Sequence, residues 1–344
     1  MLTAWVWRGV RVLGRVAPYT WLRRLAALLA WLGFLAMPAK RANMRRNLRV
    51  VLTGSPEMTR LGIERRVRAL ATRQMAGYGQ VMLDLVTLPS IVERVHADTK
   101  DTAGWHYLDS ALRTGRGVVF ATAHFGSWDA AGAAVAGHCP PGTVYAVAES
   151  FSDPRLDALV TSERAQYGLG VVPMSDLRRM VRTLREGKVL GVLIDRPVTS
   201  GDGVTVSLFG RETVLPAGAA ALATMARSVI IPGFLLRRPD GGFEGAILPP
   251  IEPVRTGNRE ADLTATMQLV VQSLEPAMRK APEQWYMFRD MWPAAATSRL
   301  RGEYGAIPRL RRVAVPVARY GSVILAAWYA RRLPIVRTAW KVLV

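Results

Sequence analysis

The sequence predicts an α/β protein with a mixed, largely parallel central sheet flanked by helices. Three observations carry that expectation. Short apolar runs bounded by glycine or polar residues (118–120, 143–148, 168–172, 189–194) alternate with helical segments, a pattern that gives parallel strands joined by right-handed crossovers. Three polar residues, His124, Glu149 and Asp195, each stand just past the end of such a run, where open α/β sheets place their sites. The two ends of the chain are different in kind, being basic, aromatic and aliphatic together.

Residues 2–37 begin with Trp5, Trp7, Arg8, Arg11 and Arg15, followed by Trp21-Leu22-Arg23-Arg24. The uncharged run from Leu25 to Pro38 holds 14 residues, short of the roughly 20 needed for a single span. It also lacks the position and the small-residue site of an ordinary signal peptide. We read it as an interfacial anchor; a marginal span extended by Trp21 and snorkelling arginines stays open. Residues 39–52 follow a helical period with Met44, Leu48, Val51 and Leu52 on one face. A longer helical pattern runs over 57–86 and is expected to end at Leu88-Pro89.

Tyr107 to Leu112 lead into the strand Gly117-Val118-Val119-Phe120, and Ala121-Thr122-Ala123-His124-Phe125-Gly126-Ser127-Trp128-Asp129 follows. His124 is thus placed at a strand end and Asp129 in the first turn of the next helix, where the helix N-terminus favours a carboxylate. Asp129 is expected to hold one imidazole nitrogen while the other faces a substrate hydroxyl, making His124 a general base. The amides around Gly126 and Ser127 are expected to face a developing oxyanion. A core histidine beside a capping Asp is the plainer reading of the same spacing. Ser127 is the alternative nucleophile, but its setting lacks the Gly-x-Ser-x-Gly elbow.

Further along, a helix over 153–167 carries Arg155 and Arg164, and Leu177–Glu186 forms another. Glu149 and Arg164 are separated by one strand-to-helix unit and are expected to pair near the site. Asp195 is read as a substrate or supporting carboxylate, with a bystander as the alternative, and Arg196 as facing phosphates of a donor, with a solvated arginine as the alternative. Val204–Phe209 alternates like a strand, after which Gly210-Arg211-Glu212-Thr213 is expected to turn into the helix 217–226. Strands at 229–232 and 243–249 and an amphipathic helix over 262–279 complete the pattern.

The set His124-x4-Asp129 with Gly126-Ser127-Trp128 inside, Lys40-Arg41-Ala42-Asn43 with Asn47-Leu48, Asp195-Arg196 with Phe209-Gly210 and Pro216-x-Gly218, and Pro282-Glu283-Gln284-Trp285 resembles the bacterial lipid A (lauroyl/myristoyl) acyltransferase superfamily, which includes the phosphatidylinositol mannoside acyltransferases. The blocks fall in family order over about residues 5–292. After Trp285 the lipid A enzymes continue with His and basic residues, whereas this chain has Tyr286-Met287-Phe288-Arg289. The resemblance implies a glycerolipid-acyltransferase-like fold and O-acyl transfer from a thioester, on CoA or acyl carrier protein, to a lipid-borne hydroxyl, with no other cofactor. It implies His124 and Asp129 as the catalytic pair, with Glu149 and Arg164 in support.

Composition bounds the partners. The net charge is +20, yet residues 1–56 hold ten Lys/Arg and no acid, and residues 299–344 hold ten against Glu303 alone, so the middle is nearly neutral. Charge in aliphatic, Trp-bearing ends fits an anionic membrane surface rather than nucleic acid, for which no reading motif is present; with the family resemblance, this implies the cytoplasmic face of a bacterial inner membrane. One cysteine and four histidines without ligand spacing give no reason to expect a metal. The expected organisation is 1–56 membrane-associating helices, 57–292 catalytic domain and 293–344 a basic amphipathic extension. An inactive membrane-binding scaffold, and a lysophospholipid acyltransferase or serine hydrolase acting on lipid, are the rival functions.

Overall fold

In the computed structural model the apolar runs assemble as one six-stranded sheet, and residues 2–53, 59–149, 151, 153–198 and 203–293 are described. The chain opens with α1 (Leu2–Val16), α2 (Tyr19–Leu35), α3 (Pro38–Leu52), α4 (Arg60–Thr99) and α5 (Trp105–Arg113). Then come β1 (Val118–Thr122), α6 (Trp128–His138), β2 (Val144–Ala148), α7 (Pro154–Gln166), β3 (Leu169–Pro173), α8 (Leu177–Arg185) and β4 (Val189–Leu193). A hairpin of β5 (Gly203–Leu208) and β6 (Arg211–Pro216) precedes α9 (Gly218–Ala226), β7 (Val229–Arg237), β8 (Phe243–Ile247), α10 (Arg259–Lys280) and the 3-10 turn Pro282–Gln284. The sheet order is β3-β2-β4-β1-β7-β8, parallel throughout except for the antiparallel β7–β8 pair.

Both faces of the sheet are covered, which is why its strands read as continuous apolar runs. Val119, Ala121 and Leu190 point into a core shared with α8, α9, α10 and the β5–β6 hairpin. Val118, Phe120 and Val189 point the other way, against Leu88 and Val95 of α4, Leu108 of α5 and the alanines of α6. The chain leaves β1 for one half of the sheet and, after β4, crosses to β7 on the other side of β1. The carboxyl ends of β1 and β4 therefore lie side by side at the place where a doubly wound sheet opens a crevice.

The N-terminal helices are built onto this unit. Phe34, Met44 and Leu48 share a buried cluster with α4 and with Tyr286 and Phe288 from the far end of the chain. Trp7 of α1 packs on Leu85, Leu156 and Val160, and both Trp7 Nε1 (2.9 Å) and Arg11 Nη1 (2.6 Å) donate to Glu163 of α7. The opposite faces stay bare: Val12, Leu13 and Val16 of α1 and Trp21, Leu25, Leu28 and Leu32 of α2 are exposed. The stretch Leu61–Thr99 is long and apolar enough to cross a membrane, but 50% of its apolar window is buried inside the fold. Helices α2 and α3 meet that test only as a pair, bent by 104°.

Two local expectations are overturned. Helix α4 does not end at Leu88-Pro89 but runs through to Thr99. Leu88 and Val95 pack, with Ile91 and Val92, on the alanines of α6, and that burial outweighs the interruption proline brings to a helix. Residues 211–213 are not a turn into α9 but the start of β6, which pairs antiparallel with β5 outside the main sheet. Phe209 and Gly210, both at positive φ, make the two-residue connection that closes such a hairpin. Apart from residue 293, the C-terminal extension lies outside the described residues.

Candidate active site

His124 follows β1 by two residues and Asp195 follows β4 by two, and the register pairs Thr122 with Leu193. Parallel pairing in that register carries the two side chains to the same place. The Asp195 carboxylate accepts the His124 backbone N–H at 3.1 and 3.0 Å and lies 2.7 Å from the imidazole Nδ1. Trp285 Nε1 donates to its other oxygen at 2.9 Å. Asp195 is 3% exposed. Burial alone would push its carboxyl up; the charge of His124 and the hydrogen bonds from His124 and Trp285 outweigh that and hold it below the ordinary value. An ionised carboxylate only accepts, so Nδ1 carries the proton and Nε2 is left as the acceptor of the ring.

The turn after His124 is fixed from three sides. Tyr286 N–H donates to the His124 carbonyl at 2.7 Å, Gly126 N–H to the Gln284 carbonyl at 2.9 Å and Ser127 N–H to the Leu235 carbonyl at 2.8 Å. Gly126 has φ +67°, and a Cβ there would stand 2.0 Å from the Leu235 carbonyl oxygen, so only glycine fits. The Gln284 side chain pairs with the Arg237 backbone at the end of β7, accepting at 2.9 Å and donating at 3.0 Å. The residues of the Pro-Glu-Gln-Trp element thus tie β7, the His124 turn and Asp195 together.

The expected roles are redistributed. Asp129 does not orient His124: its Oδ1 accepts from Arg164 Nε (3.0 Å) and Nη2 (2.7 Å), and its Oδ2 is buried without a hydrogen-bond partner. The reason is topological, since α6 carries Asp129 toward α7 while β4 brings Asp195 to Nδ1. Burial would lower Arg164, but the Asp129 charge and Tyr167 outweigh it and raise it above its ordinary value. Glu149 pairs with Arg196 at 2.8 Å, not with Arg164. The Gly126 and Ser127 amides are spent on carbonyls within the fold and have no proton left for an oxyanion. Ser127 is 1% exposed, and its hydroxyl donates to Asp84 at 3.2 Å, so it is no accessible nucleophile.

Three contributions have no role assigned by the sequence. Trp285, Asn43 and Asn47 stand in its motifs without one. Asn43 and Asn47 reach across to backbone carbonyls at 287–289. Asp84, fully buried in α4, accepts from Tyr19, Ser127 and Arg237, which joins α2, the His124 turn and β7; an acidic residue within an apolar helical face was its only signal.

His124, Asp129, Glu149, Arg164 and Arg196 all line one cavity of about 1370 Å³. That exceeds the roughly 300–1,000 Å³ that encloses a drug-sized molecule. Its walls run between the sheet and α6 past Phe120, Ala131, Gly132 and Gly191, and on to Met180 and Leu222 of α8 and α9. A polar centre at the mouth of a long apolar space suits a substrate with a reactive head and an aliphatic chain. Among the described residues no group of three or more His, Cys, Asp or Glu is placed to hold a metal ion.

The family model described as bacterial lipid A biosynthesis acyltransferase matches residues 1–293. The chain belongs to this family. It is an acyltransferase. It is 28% identical over 243 residues to a phosphatidylinositol mannoside acyltransferase of Mycobacterium tuberculosis, covering 68% of this chain and 73% of that one. It is 26% identical to the corresponding protein of Mycolicibacterium smegmatis over 73% of this chain and 84% of that one. The lipid A biosynthesis lauroyltransferase of Escherichia coli is 26% identical over 81% of this acyltransferase and 88% of its own length.

Proposed function

We propose that this acyltransferase moves a fatty acyl chain from a thioester of CoA or acyl carrier protein to a hydroxyl of a glycolipid, at the cytoplasmic face of a bacterial inner membrane. The observation that carries the chemistry is the His124–Asp195 pair at the mouth of the apolar cavity. His124 Nε2 takes the proton of the acceptor hydroxyl, and the oxygen attacks the thioester carbonyl. The resulting oxyanion is met by amides at the N-terminus of α6, which has no side-chain cap. Collapse breaks the carbon–sulfur bond, and the imidazolium returns its proton to the departing thiolate. Asp195 keeps the tautomer and compensates the imidazolium; Asp129 and Arg164 brace α6 against α7. No covalent acyl-enzyme forms, in keeping with the burial of Ser127.

The names of the relatives support a glycolipid acceptor of the phosphatidylinositol mannoside or lipid A kind. The bare apolar stripe of α1 and α2 within a segment that lacks acidic residues supports a surface-lying anchor on anionic lipid. Mass spectrometry of lipids from a deletion strain, complemented with wild type or His124→Ala, tests the reading. One lipid species should lose a single acyl chain and regain it only with the wild type. Complementation by His124→Ala would leave the protein as a membrane-binding scaffold instead.

A further inference from the structure

The segment after Trp285 brings a cation to the cavity mouth and fixes it there. Asn47, 2% exposed, donates to the carbonyls of Met287 (3.1 Å) and Arg289 (2.8 Å) and accepts from Met291 N–H (3.3 Å). Asn43 donates to the Phe288 carbonyl at 3.1 Å. The two asparagines of α3 therefore set the backbone on which Arg289 stands. The Arg289 side chain lines the cavity together with Arg196, Glu149 and His124, and it has no ion-pair partner among the described residues. Arg196 is paired with Glu149. Burial, and then the neighbouring Arg196 charge, hold the Arg289 guanidinium below its ordinary value, with Glu149 opposing.

Two guanidiniums facing one carboxylate carry an excess positive charge that an anion balances. The planar guanidinium fork matches a phosphate in two-point contact. We propose that Arg289, with Arg196, forms a phosphate-binding site at the mouth of the acyl cavity. It rests on the acyl-transfer reading and gives that reading a headgroup. Phosphate enters from the donor, through its phosphopantetheine or nucleotide, or from the phosphodiester of a phosphatidylinositol acceptor.

Calorimetric titration of the full-length protein in detergent micelles tests this with three probes: CoA, pantetheine, which lacks phosphate, and glycerophosphoinositol. The site predicts that CoA or glycerophosphoinositol binds more tightly than pantetheine, and whichever does so names the source. Arg289→Gln should weaken that probe by about tenfold or more, as for the loss of charge-assisted hydrogen bonds. Arg289→Lys should recover part of the loss, and both variants should melt with the wild type. The proposal is overturned if neither phosphate-bearing probe outbinds pantetheine, or if Arg289→Gln binds like the wild type. The titration needs no turnover, so the two ideas fail separately. A protein that binds phosphate but transfers no acyl group retains the site and loses the enzymatic reading. One that turns over while Arg289→Gln binds normally does the reverse.

Discussion

Replacing Asp195 and Asp129 in turn by Asn separates the carboxylate that serves the imidazole from the one that serves the fold. Asp195 accepts three N–H groups: the His124 backbone, His124 Nδ1 and Trp285 Nε1. An amide offers one acceptor oxygen and turns its NH₂ toward a donor, so either Nδ1 or the indole loses its partner and the wrong imidazole tautomer gains ground. A hydrogen bond to a charged group contributes about 1.5–3 kcal/mol, which is roughly 10- to 100-fold. Loss of charge compensation for the imidazolium adds to that, and a carboxylate-to-amide change behind a catalytic His has cost about 10⁴ in kcat elsewhere. The expected loss for Asp195→Asn is therefore about 10²–10⁴ in kcat with the fold intact. Asp129→Asn instead leaves the buried Arg164 guanidinium uncompensated; breaking such a pair costs about 3–5 kcal/mol of stability. Transfer from an acyl thioester to a glycolipid acceptor, measured beside thermal melting on each purified variant, distinguishes the two. A wild-type kcat in Asp195→Asn, or a large kcat loss in Asp129→Asn with an unchanged melting temperature, would refute the assignment.

Trp285→Phe keeps a ring where Trp285 packs on Phe209 and Trp292 but removes the indole donor to Asp195. Its kcat should fall about tenfold with KM little changed, consistent with one lost hydrogen bond, and unchanged steady-state kinetics would release Trp285 from that role. Cys139 is buried, and burial together with Asp109 pushes its thiol up to about 12. The native protein should therefore resist iodoacetamide at pH 8 and react only once unfolded; rapid native alkylation would contradict the burial. The protein should sediment with anionic vesicles at low salt and be partly released at high salt, each basic residue near the surface adding roughly 1 kcal/mol. Leu25→Glu with Leu32→Glu on the exposed stripe of α2 should abolish sedimentation, and full solubility of the wild type at low salt would remove the anchor.

What the sequence made legible is what local pattern determines. The strand before His124 was readable because Gly117 bounds a run that is buried on both faces. The helix after it was readable from its alanines. The partner of His124 was not, because nothing local says that β4 slots between β2 and β1. Asp129 is five residues away in sequence, and Asp195 is 71. Sequence spacing offers the nearer carboxylate as the orienter, although Asp195 also stands at a strand end. The Gly126 and Ser127 amides misled for a related reason: their acceptors, the Gln284 and Leu235 carbonyls, come from strands and turns over a hundred residues later. Pro89 has the look of a helix stop in sequence because the burial that carries α4 past it, against α6, exists only in the folded chain.

The asparagines of α3 have a consequence for how the molecule is made. Asn43 and Asn47 find their acceptors 240 to 245 residues downstream. A ribosome delivers the N-terminal end first, and domains form as their residues emerge. The apolar stripe of α2 is therefore available to lipid long before residues 287–291 exist, while Asn47 waits with no backbone to bind. Trp285, the donor to Asp195, and Tyr286, the donor to the His124 carbonyl, arrive at the same late moment. On the anchor proposed above, the nascent chain is able to meet lipid as an incomplete enzyme, with the imidazole unaligned, and the site is completed only when residues 285–291 fold onto α3 and the His124 turn.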